Sequence, residues 1–202
     1  MSIINYADKV IDLKVVYYGP GVAGKTANLQ YIHRSLPQTN KGTMVSLATG
    51  DDRTIFFDFL PVSAITVRGF QTRFHLYTVP GQVHYNLTRR LVLRGVDGVV
   101  FVADSQFARL PEDVESLRNL DENLREHGAS LDEIPYVVQY NKRDLPTVAP
   151  VDYLEFVLNR RAKRAPCFEA VATDGKGVFD TLNTVSRMVL ANEFGNGGKG
   201  AS

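Results

Sequence analysis

Apolar segments of strand length alternate with segments of helix length along most of this 202-residue chain. Two of them, GVVFVAD at 98–104 and PYVVQYN at 135–141, are almost continuously hydrophobic, which is typical of strands covered on both faces of a parallel sheet. The strand-like runs lie at 12–18, 54–59, 73–79, 98–104, 135–141 and 167–172. This alternation predicts an α/β fold around a mostly parallel sheet.

Helical periodicity fills the intervals between most of these runs. In the longest helical segment Val114, Leu117, Leu120 and Leu124 recur every three or four residues, the spacing of a one-sided apolar face. A Pro-Glu-Asp sequence opens its first turn and a glycine follows its end, both usual helix boundary signals. The predicted helices span 25–35, 111–127, 151–160 and 178–193.

The runs at 54–59 and 73–79 have no helical pattern between them. The connecting segment contains Pro61 and Gly69, so we expect a loop there and an antiparallel pairing of the two strands. The predicted fold class is therefore a doubly wound, three-layer α/β fold, with a mostly parallel sheet and an antiparallel strand pair at its edge.

The composition fits one soluble domain, with 44% hydrophobic and 22% charged residues. We expect a single domain over 1–194 and a disordered tail over 195–202. The 23 basic and 22 acidic residues nearly cancel, so no nucleic-acid partner is predicted. A lone cysteine, Cys167, favours a cytoplasmic location. Because no run is long and apolar enough to span a bilayer and Ser2 replaces the glycine of a myristoylation signal, we expect no direct membrane insertion, and recruitment only through a partner or surface patch.

The segment GPGVAGKT at 19–26 follows the apolar run VVYY and precedes the first predicted helix. Two glycines five positions apart, followed by Lys-Thr, match a phosphate-binding loop, in which backbone N–H groups and a helix N-terminus converge on phosphate oxygens. We expect Lys25 to reach the β- and γ-phosphates and the Thr26 hydroxyl to bind Mg²⁺. The nucleotide-binding residues predicted in and beside this loop are Gly19, Gly21, Val22, Ala23, Gly24, Lys25, Thr26 and Ala27.

The segment NKRD at 141–144 follows a buried strand, at the edge where open α/β sheets bind ligands. The Asp144 carboxylate can accept hydrogen bonds from guanine N1–H and N2–H₂, whereas adenine offers no such pair of donors. We expect Asn141 to brace the loop and the Lys142 stem to lie along the base. The sequence therefore predicts a guanine nucleotide.

Lys25 and two further polar residues are the candidates for catalysing phosphoryl transfer. Gln82 in TVPGQ can orient an attacking water, and Gly81 leaves the backbone free to approach the γ-phosphate. Arg53 in GDDRT can stabilise charge on the transferred phosphoryl group. The alternatives are an exposed loop glutamine and a solvated ion pair between Arg53 and the two aspartates before it.

A family resemblance covers nearly the whole chain, from about residue 12 to 190. The chain resembles the Ras-like small GTPases, and among them the MglA family of bacterial gliding motility and polarity. The segments that carry the resemblance are YYGPGVAGKT, DRTIFFDFLP, TRFHLYTVPGQV, GVDGVVFVADS, QYNKRDLP and EAVATDGKGVFDTL. The resemblance implies a Ras-like phosphate-loop fold that binds GTP or GDP with Mg²⁺.

The resemblance also implies roles for individual residues. It implies that Gln82 positions the water, that Arg53 acts in cis and that Thr54 closes on Mg²⁺ and the γ-phosphate. It implies a last guanine-contacting loop that includes Ala172 and Thr173, with the Ala172 N–H donating to guanine O6; a plain strand-to-helix turn is an equally good local interpretation. It further implies a Roadblock-type dimeric partner of the MglB kind that moves the catalytic pair into place, motility or polarity effectors, and recruitment to poles or motility complexes by partners.

Thr78 departs from the pattern of many small GTPases, which have an Mg²⁺-holding aspartate at this position. A threonine cannot supply that charge, so we expect weaker metal binding unless Asp58, on the paired strand, points toward the site. Thr78 and the open alternative for Arg53 leave room for a second interpretation, a GTP-binding scaffold that scarcely hydrolyses GTP. A third is a nucleoside or nucleotide kinase, whose arginine-rich lid would have to be RRAKR at 160–164, which a solvated helix end explains better.

Overall fold

The structure is a computed structural model that describes residues 3–47, 57–82, 85–161 and 163–196. In these residues eight strands form one sheet, flanked by five α-helices. The strands are β1 (Ile3–Asn5), β2 (Val10–Tyr18), β3 (Val45–Leu47), β4 (Phe57–Val67), β5 (Phe70–Thr78), β6 (Gly98–Asp104), β7 (Tyr136–Asn141) and β8 (Cys167–Glu169). The helices are α1 (Lys25–Ser35), α2 (Asn86–Leu93), α3 (Leu110–Glu126), α4 (Val151–Leu158) and α5 (Val178–Asn196).

The sheet has the strand order β3-β4-β5-β2-β6-β7-β8, and β1 pairs antiparallel with the start of β2. Strands β5, β2, β6, β7 and β8 are parallel, while β3, β4 and β5 pair antiparallel. The predicted α/β fold with an antiparallel strand pair at its edge is therefore confirmed.

The connection between the two antiparallel strands differs from the predicted loop. Strand β4 continues through Pro61 to Val67, and only Arg68 and Gly69 form the turn, both with positive φ. The carbonyl of Pro61 faces outward and accepts from the Gly42 N–H at 2.9 Å. In an antiparallel ladder the N–H and C=O of one residue point to the same side. An N–H at position 61 would therefore also point away from β5, so the proline removes no hydrogen bond between β4 and β5.

The core lies in two layers, one on each face of the sheet. Side chains of α1 and α5, such as Leu29 and Val185, pack on one face, and those of α2, α3 and α4, such as Leu93 and Leu120, pack on the other. Strand β6 is buried at every position, as its continuous hydrophobicity predicts. This three-layer packing brings the carboxyl ends of β2, β5, β6 and β7 to one edge of the sheet.

Of the strands and α-helices in the described residues, three were not predicted, namely β1, β3 and α2. The two strands have only three residues each, which is too short for a period-2 pattern to emerge. Helix α2 has Arg89 on its buried face beside Val92 and Leu93, and a charge at a core position hides the apolar stripe. Helix α5 continues to Asn196, past the predicted domain boundary at 194, and residues 197–202 lie outside the described part. In the described part of the chain, no helix combines the length and apolarity that crossing a bilayer requires.

Candidate functional site

The phosphate-loop segment connects the end of β2 to the start of α1, and its backbone requires glycine at two points. Gly19 has φ 145° and Gly24 has φ 103°. A Cβ at Gly19 would lie 2.2 Å from the carbonyl oxygen of Val102, and one at Gly24 would lie 2.1 Å from Asn141 Nδ2. Larger residues are therefore excluded both by conformation and by space.

Lys25 lies inside this loop and is 6% exposed. Its Nζ donates to the carbonyl oxygens of Gly19 at 3.0 Å and Pro20 at 2.6 Å. Burial, and secondly the positive charge of Arg89, lower the pKa of Lys25 to about 7, while Asp58 and Asp113 act in the opposite direction. An anion in the loop would favour the charged amine.

Three hydroxyl groups near the start of α1 donate hydrogen bonds to the Asp58 carboxylate. The carboxylate accepts from Thr26 Oγ1 at 2.6 Å, from Thr78 Oγ1 at 3.0 Å and from Ser46 Oγ at 2.7 Å. The Asp58 side chain thus points toward the phosphate loop, because the β4–β5 pairing sets it beside Thr78. One carboxylate among hydroxyl oxygens is an oxygen-only donor set that suits Mg²⁺, an ion that keeps several waters and needs one or two carboxylates.

A cavity of about 450 Å³ opens between these groups. Its walls include Val22, Lys25 and Thr26 from the phosphate loop, Asp58 from β4, and Gly81 after β5. The segment after β5 touches the phosphate loop directly, since a Cβ at Gly81 would lie 2.2 Å from Gly21 Cα. This close approach brings the backbone that leads to Gln82 against the loop.

The predicted catalytic pair is described only in part. The Gln82 side chain is exposed, and its carbonyl accepts from the Tyr85 N–H at 3.1 Å. Arg53 and Thr54 lie outside the described residues. Their predicted roles, and that of Gln82, stay predictions.

The Asn141 side chain connects the phosphate loop to the loop at 170–173. Its Nδ2 donates to the Ala23 carbonyl at 2.8 Å, and its Oδ1 accepts from the Ala172 N–H at 2.9 Å. The predicted donation from Ala172 to guanine O6 therefore requires that this N–H be shared or that Asn141 turn. Thr173 lies beside Ala172, and its carbonyl accepts from Arg34 at the end of α1.

The NKRD segment is held by its middle residues and leaves its last residue exposed. Lys142 Nζ donates to the buried carboxylate of Asp104 at 2.7 Å. Arg143 donates to Glu169 at 2.8 Å and to the Ala149 carbonyl at 2.7 Å. The Asp144 carboxylate is exposed and makes no hydrogen bond or ion pair to any residue that the structure describes. Its acceptor oxygens are thus available to a base.

Sequence reasoning missed Arg89, the largest fully buried side chain in the described residues. It lies beneath the phosphate loop, with its guanidinium 4.8 Å from the Tyr18 ring centroid, and burial lowers its pKa. A single arginine in a helix usually indicates a surface position. The only available signal is its spacing, three and four residues before the core residues Val92 and Leu93.

The first two residues of the basic cluster at 160–164 contact neighbouring side chains. Arg161 pairs with Asp121 at 3.7 Å and Asp132 at 3.5 Å, and Arg160 stacks over the Phe156 ring. These contacts fit the predicted solvated helix end.

Comparison with known proteins extends the similarity over the whole chain. The chain is 56% identical to the mutual gliding-motility protein MglA of Myxococcus xanthus (strain DK1622) over 198 residues, 98% of this chain and 100% of that protein. It is 25% identical to the Ypt/Rab-type GTPase ypt71 of Schizosaccharomyces pombe (strain 972 / ATCC 24843) over 192 residues, 93% of this chain and 86% of that one. No protein-family model matches the chain. The resemblance carried by the sequence segments is confirmed.

Proposed function

The chain belongs to the MglA family of Ras-like small GTPases, and we propose on that premise that it is a GTP-binding switch controlling gliding or twitching motility and cell polarity in bacteria. It hydrolyses GTP to GDP and phosphate, slowly alone and faster with a partner. The two nucleotide states bind effectors with different affinity, which is what switching requires.

One contact carries the proposal: the Asn141 side chain lies between the phosphate loop and the loop at 170–173. Its 2.8 Å hydrogen bond to the Ala23 carbonyl places the segment that would recognise a base beside the segment that would hold phosphates. A ligand that has both a base and a phosphate chain is the one such a site fits. The exposed Asp144 carboxylate then selects guanine, because only guanine offers it two donors.

Asp144→Asn tests this directly. The variant should lose about 10²–10⁴-fold in GTP affinity, because two hydrogen bonds to a charged acceptor are lost. Affinity for xanthosine triphosphate should rise, since xanthine presents an acceptor where guanine presents its amino group. Titration with fluorescent analogues of both nucleotides gives the two constants. The matched control is Asp152→Asn, an exposed aspartate in the first turn of α4, and an unchanged preference for GTP in Asp144→Asn would overturn the proposal.

For hydrolysis, each residue has a distinct role. Lys25 binds the β- and γ-phosphates, Gln82 orients the attacking water, and Arg53 stabilises charge on the transferred group. Thr26, Thr54 and Asp58 are the residues that would hold Mg²⁺, directly or through water. That ion supplies neutralisation of the phosphate charge when it is bound.

A Roadblock-type dimer of the MglB kind is the proposed regulatory partner, and it acts by ordering Arg53 and Gln82. The exposed position of Gln82 supports a need for such a partner. The exposed Gln82 side chain also favours the second candidate function, a GTP-binding scaffold that scarcely hydrolyses GTP. In either role the protein would be cytoplasmic until a partner recruits it to a cell pole or a motility complex. Single-turnover phosphate release separates the two: stimulation by the partner supports the switch, and no release with or without the partner supports the scaffold.

A further inference from the structure

Arg89 is a buried cation that forms no direct ion pair with any described residue, and the charge of Glu115 acts on it only from a distance. Its side chain is 0% exposed, and buried charges in proteins are normally paired with an opposite charge. Its guanidinium instead donates to three main-chain carbonyls and two neutral side chains. These acceptors are Pro80 O (2.8 Å), Gly81 O (3.0 Å), Gly19 O (3.1 Å), Asn119 Oδ1 (2.6 Å) and Ser116 Oγ (3.2 Å).

The three carbonyls belong to two segments, the phosphate loop and the stretch before Gln82, that both line the 450 Å³ cavity. Gly19 begins the phosphate loop, and Pro80 and Gly81 directly precede Gln82. A planar guanidinium with five donors can bind both segments at once, which a single ammonium group on a flexible stem cannot do with the same geometry. The close approach of Gly81 to Gly21 is the backbone contact that this guanidinium holds in place.

The far side of the guanidinium is fixed by a polar network between β2, α2 and α3. Asn119 Oδ1 also accepts from Tyr18 Oη at 2.6 Å, and Asn119 Nδ2 donates to Asn86 Oδ1 at 2.9 Å. Asn123 Nδ2 donates to Asn86 Oδ1 at 2.7 Å. The network therefore sets where Arg89 can reach, independently of any nucleotide.

The Gly19 carbonyl is shared by two cations. Lys25 Nζ lies 3.0 Å from this oxygen and Arg89 Nη2 lies 3.1 Å from it. Like charges this close repel each other, and the positive charge of Arg89 contributes, after burial, to the lowered pKa of Lys25. A phosphate in the loop would draw Lys25 away from Gly19 O and leave that oxygen to Arg89 alone.

We infer that Arg89 is a positioning residue for GTP hydrolysis, whose guanidinium fastens the Pro80–Gly81 backbone to the phosphate loop and so sets the place of Gln82 when phosphate is bound. The inference rests on the proposed GTPase function. Arg89 is fully enclosed by protein atoms and would act only through the backbone that it binds.

The test compares Arg89→Lys and Arg89→Met with the neighbouring Arg90→Lys and Arg90→Met. Arg90 is on the same helix but pairs with Glu126 at the surface, so it controls for loss of an arginine from α2. Single-turnover GTP hydrolysis, GDP dissociation and thermal unfolding of the GDP-bound protein are measured for each. Arg89→Lys should lower hydrolysis by about 10²-fold, the usual effect of a misplaced catalytic group, with little change in GDP dissociation. The Arg90 variants should match the wild type in all three.

A double-mutant cycle with Gln82→Leu identifies the route of the effect. If Arg89 acts through Gln82, adding Arg89→Lys to Gln82→Leu should lower hydrolysis no further, whereas independent effects would multiply. Multiplying effects overturn the inference, as does undiminished hydrolysis in Arg89→Lys. It is equally overturned if hydrolysis, GDP retention and melting temperature fall together, which is the result of a purely structural role.

These outcomes are separate from failure of the proposed function. A wild-type protein that releases no phosphate, alone or with the partner, refutes the switch itself. If Arg89→Met fails to fold because it lacks these buried hydrogen bonds, Arg89→Lys, which keeps the charge, decides the test.

Discussion

The Asp58 carboxylate lies beside Thr78, the position at which many small GTPases have an aspartate. The carboxylate reaches Thr26 because β4 and β5 pair in the register that places Asp58 next to Thr78. The sequence identifies the missing charge and the candidate replacement, but strand pairing decides where the side chain points. Thr78 meanwhile orients the carboxylate by donating to it.

Replacing Asp58 should therefore affect the metal more than the nucleotide. Asp58→Asn is expected to raise the Mg²⁺ concentration needed for half-maximal GTP binding by about 10–100-fold, the range for groups that support a metal site. The control is Asp12→Asn. Asp12 lies near the start of β2, whereas the phosphate loop follows the end of that strand, and it pairs with His75 at 2.7 Å. Titration of Mg²⁺ at fixed GTP measures both, and identical curves for Asp58→Asn and wild type would show that Asp58 has no part in the metal site.

Asp113, buried at the start of α3, gives a prediction for pH. Burial raises its pKa from 3.8 to about 8, with Asp104 and Glu112 adding to the effect and the Asp104 N–H and Arg109 opposing it. Between these two values the folded protein keeps a proton that the unfolded chain has lost. Stability is therefore lost as pH rises through this window.

Asp113→Asn removes this linkage while keeping an acceptor for the Asp104 N–H. As pH rises through the window, the free energy of unfolding of the wild type should fall relative to that of the variant by up to about 1.4 kcal/mol for each pH unit. The advantage of the variant therefore grows with pH. Urea unfolding of the GDP-bound proteins at about pH 5 and about pH 8 measures the gain. The exposed Asp132→Asn should show a smaller, pH-independent difference over that range, and a flat difference for Asp113→Asn would contradict the prediction.

Among the elements, those with local signals could be read from the sequence and those set by distant partners could not. Helix α1 begins at Lys25 and β6 spans 98–104, both as predicted, because a glycine-rich turn and a fully apolar run are local features. Helix α2 was missed because the partners that make Arg89 a core residue lie in the phosphate loop and in α3. The meeting of Thr26 with Asp58 could not be predicted either, since it depends on the register between β4 and β5.

The contact between Gly24 and Asn141 gives a prediction at this scale. Gly24→Ala places a Cβ 2.1 Å from Asn141 Nδ2, so either Asn141 must turn and lose its hydrogen bond to the Ala23 carbonyl or the phosphate loop must move away from the NKRD segment. We expect GDP affinity to fall by about 10²-fold, or about 2.8 kcal/mol, because binding must then restore the displaced geometry. Gly128→Ala also has positive φ but meets no atom within 4 Å; it should cost about 1 kcal/mol of stability and leave GDP affinity unchanged. Equal affinities for the two variants, measured by calorimetry, would contradict the prediction.

At the scale of the molecule, the candidate site lies at one edge of the sheet, between the core layers on its two faces. Strands β2, β5, β6 and β7 end there, and α1, α2 and α3 each contribute a polar side chain. A nucleotide that bridges these elements should therefore stabilise the whole fold rather than one loop.

GDP with Mg²⁺ at about 100 times its dissociation constant should add about 2.7 kcal/mol to the free energy of unfolding. For a chain of this size the melting temperature should rise by roughly 5–11 °C. ATP with Mg²⁺ at the same concentration is the control and should give almost no shift. A thermal scan with each nucleotide is sufficient, and equal shifts would argue against guanine selection.

The Asn141 side chain has one more consequence, for ligands smaller than a nucleotide. Because it ties the two loops together, a guanosine and a pyrophosphate meet a single connected receptor. Two separate fragments each lose translational freedom on binding, whereas the joined molecule loses it only once. Guanosine and pyrophosphate together should therefore compete poorly against GDP, even when each fills its own half of the cleft.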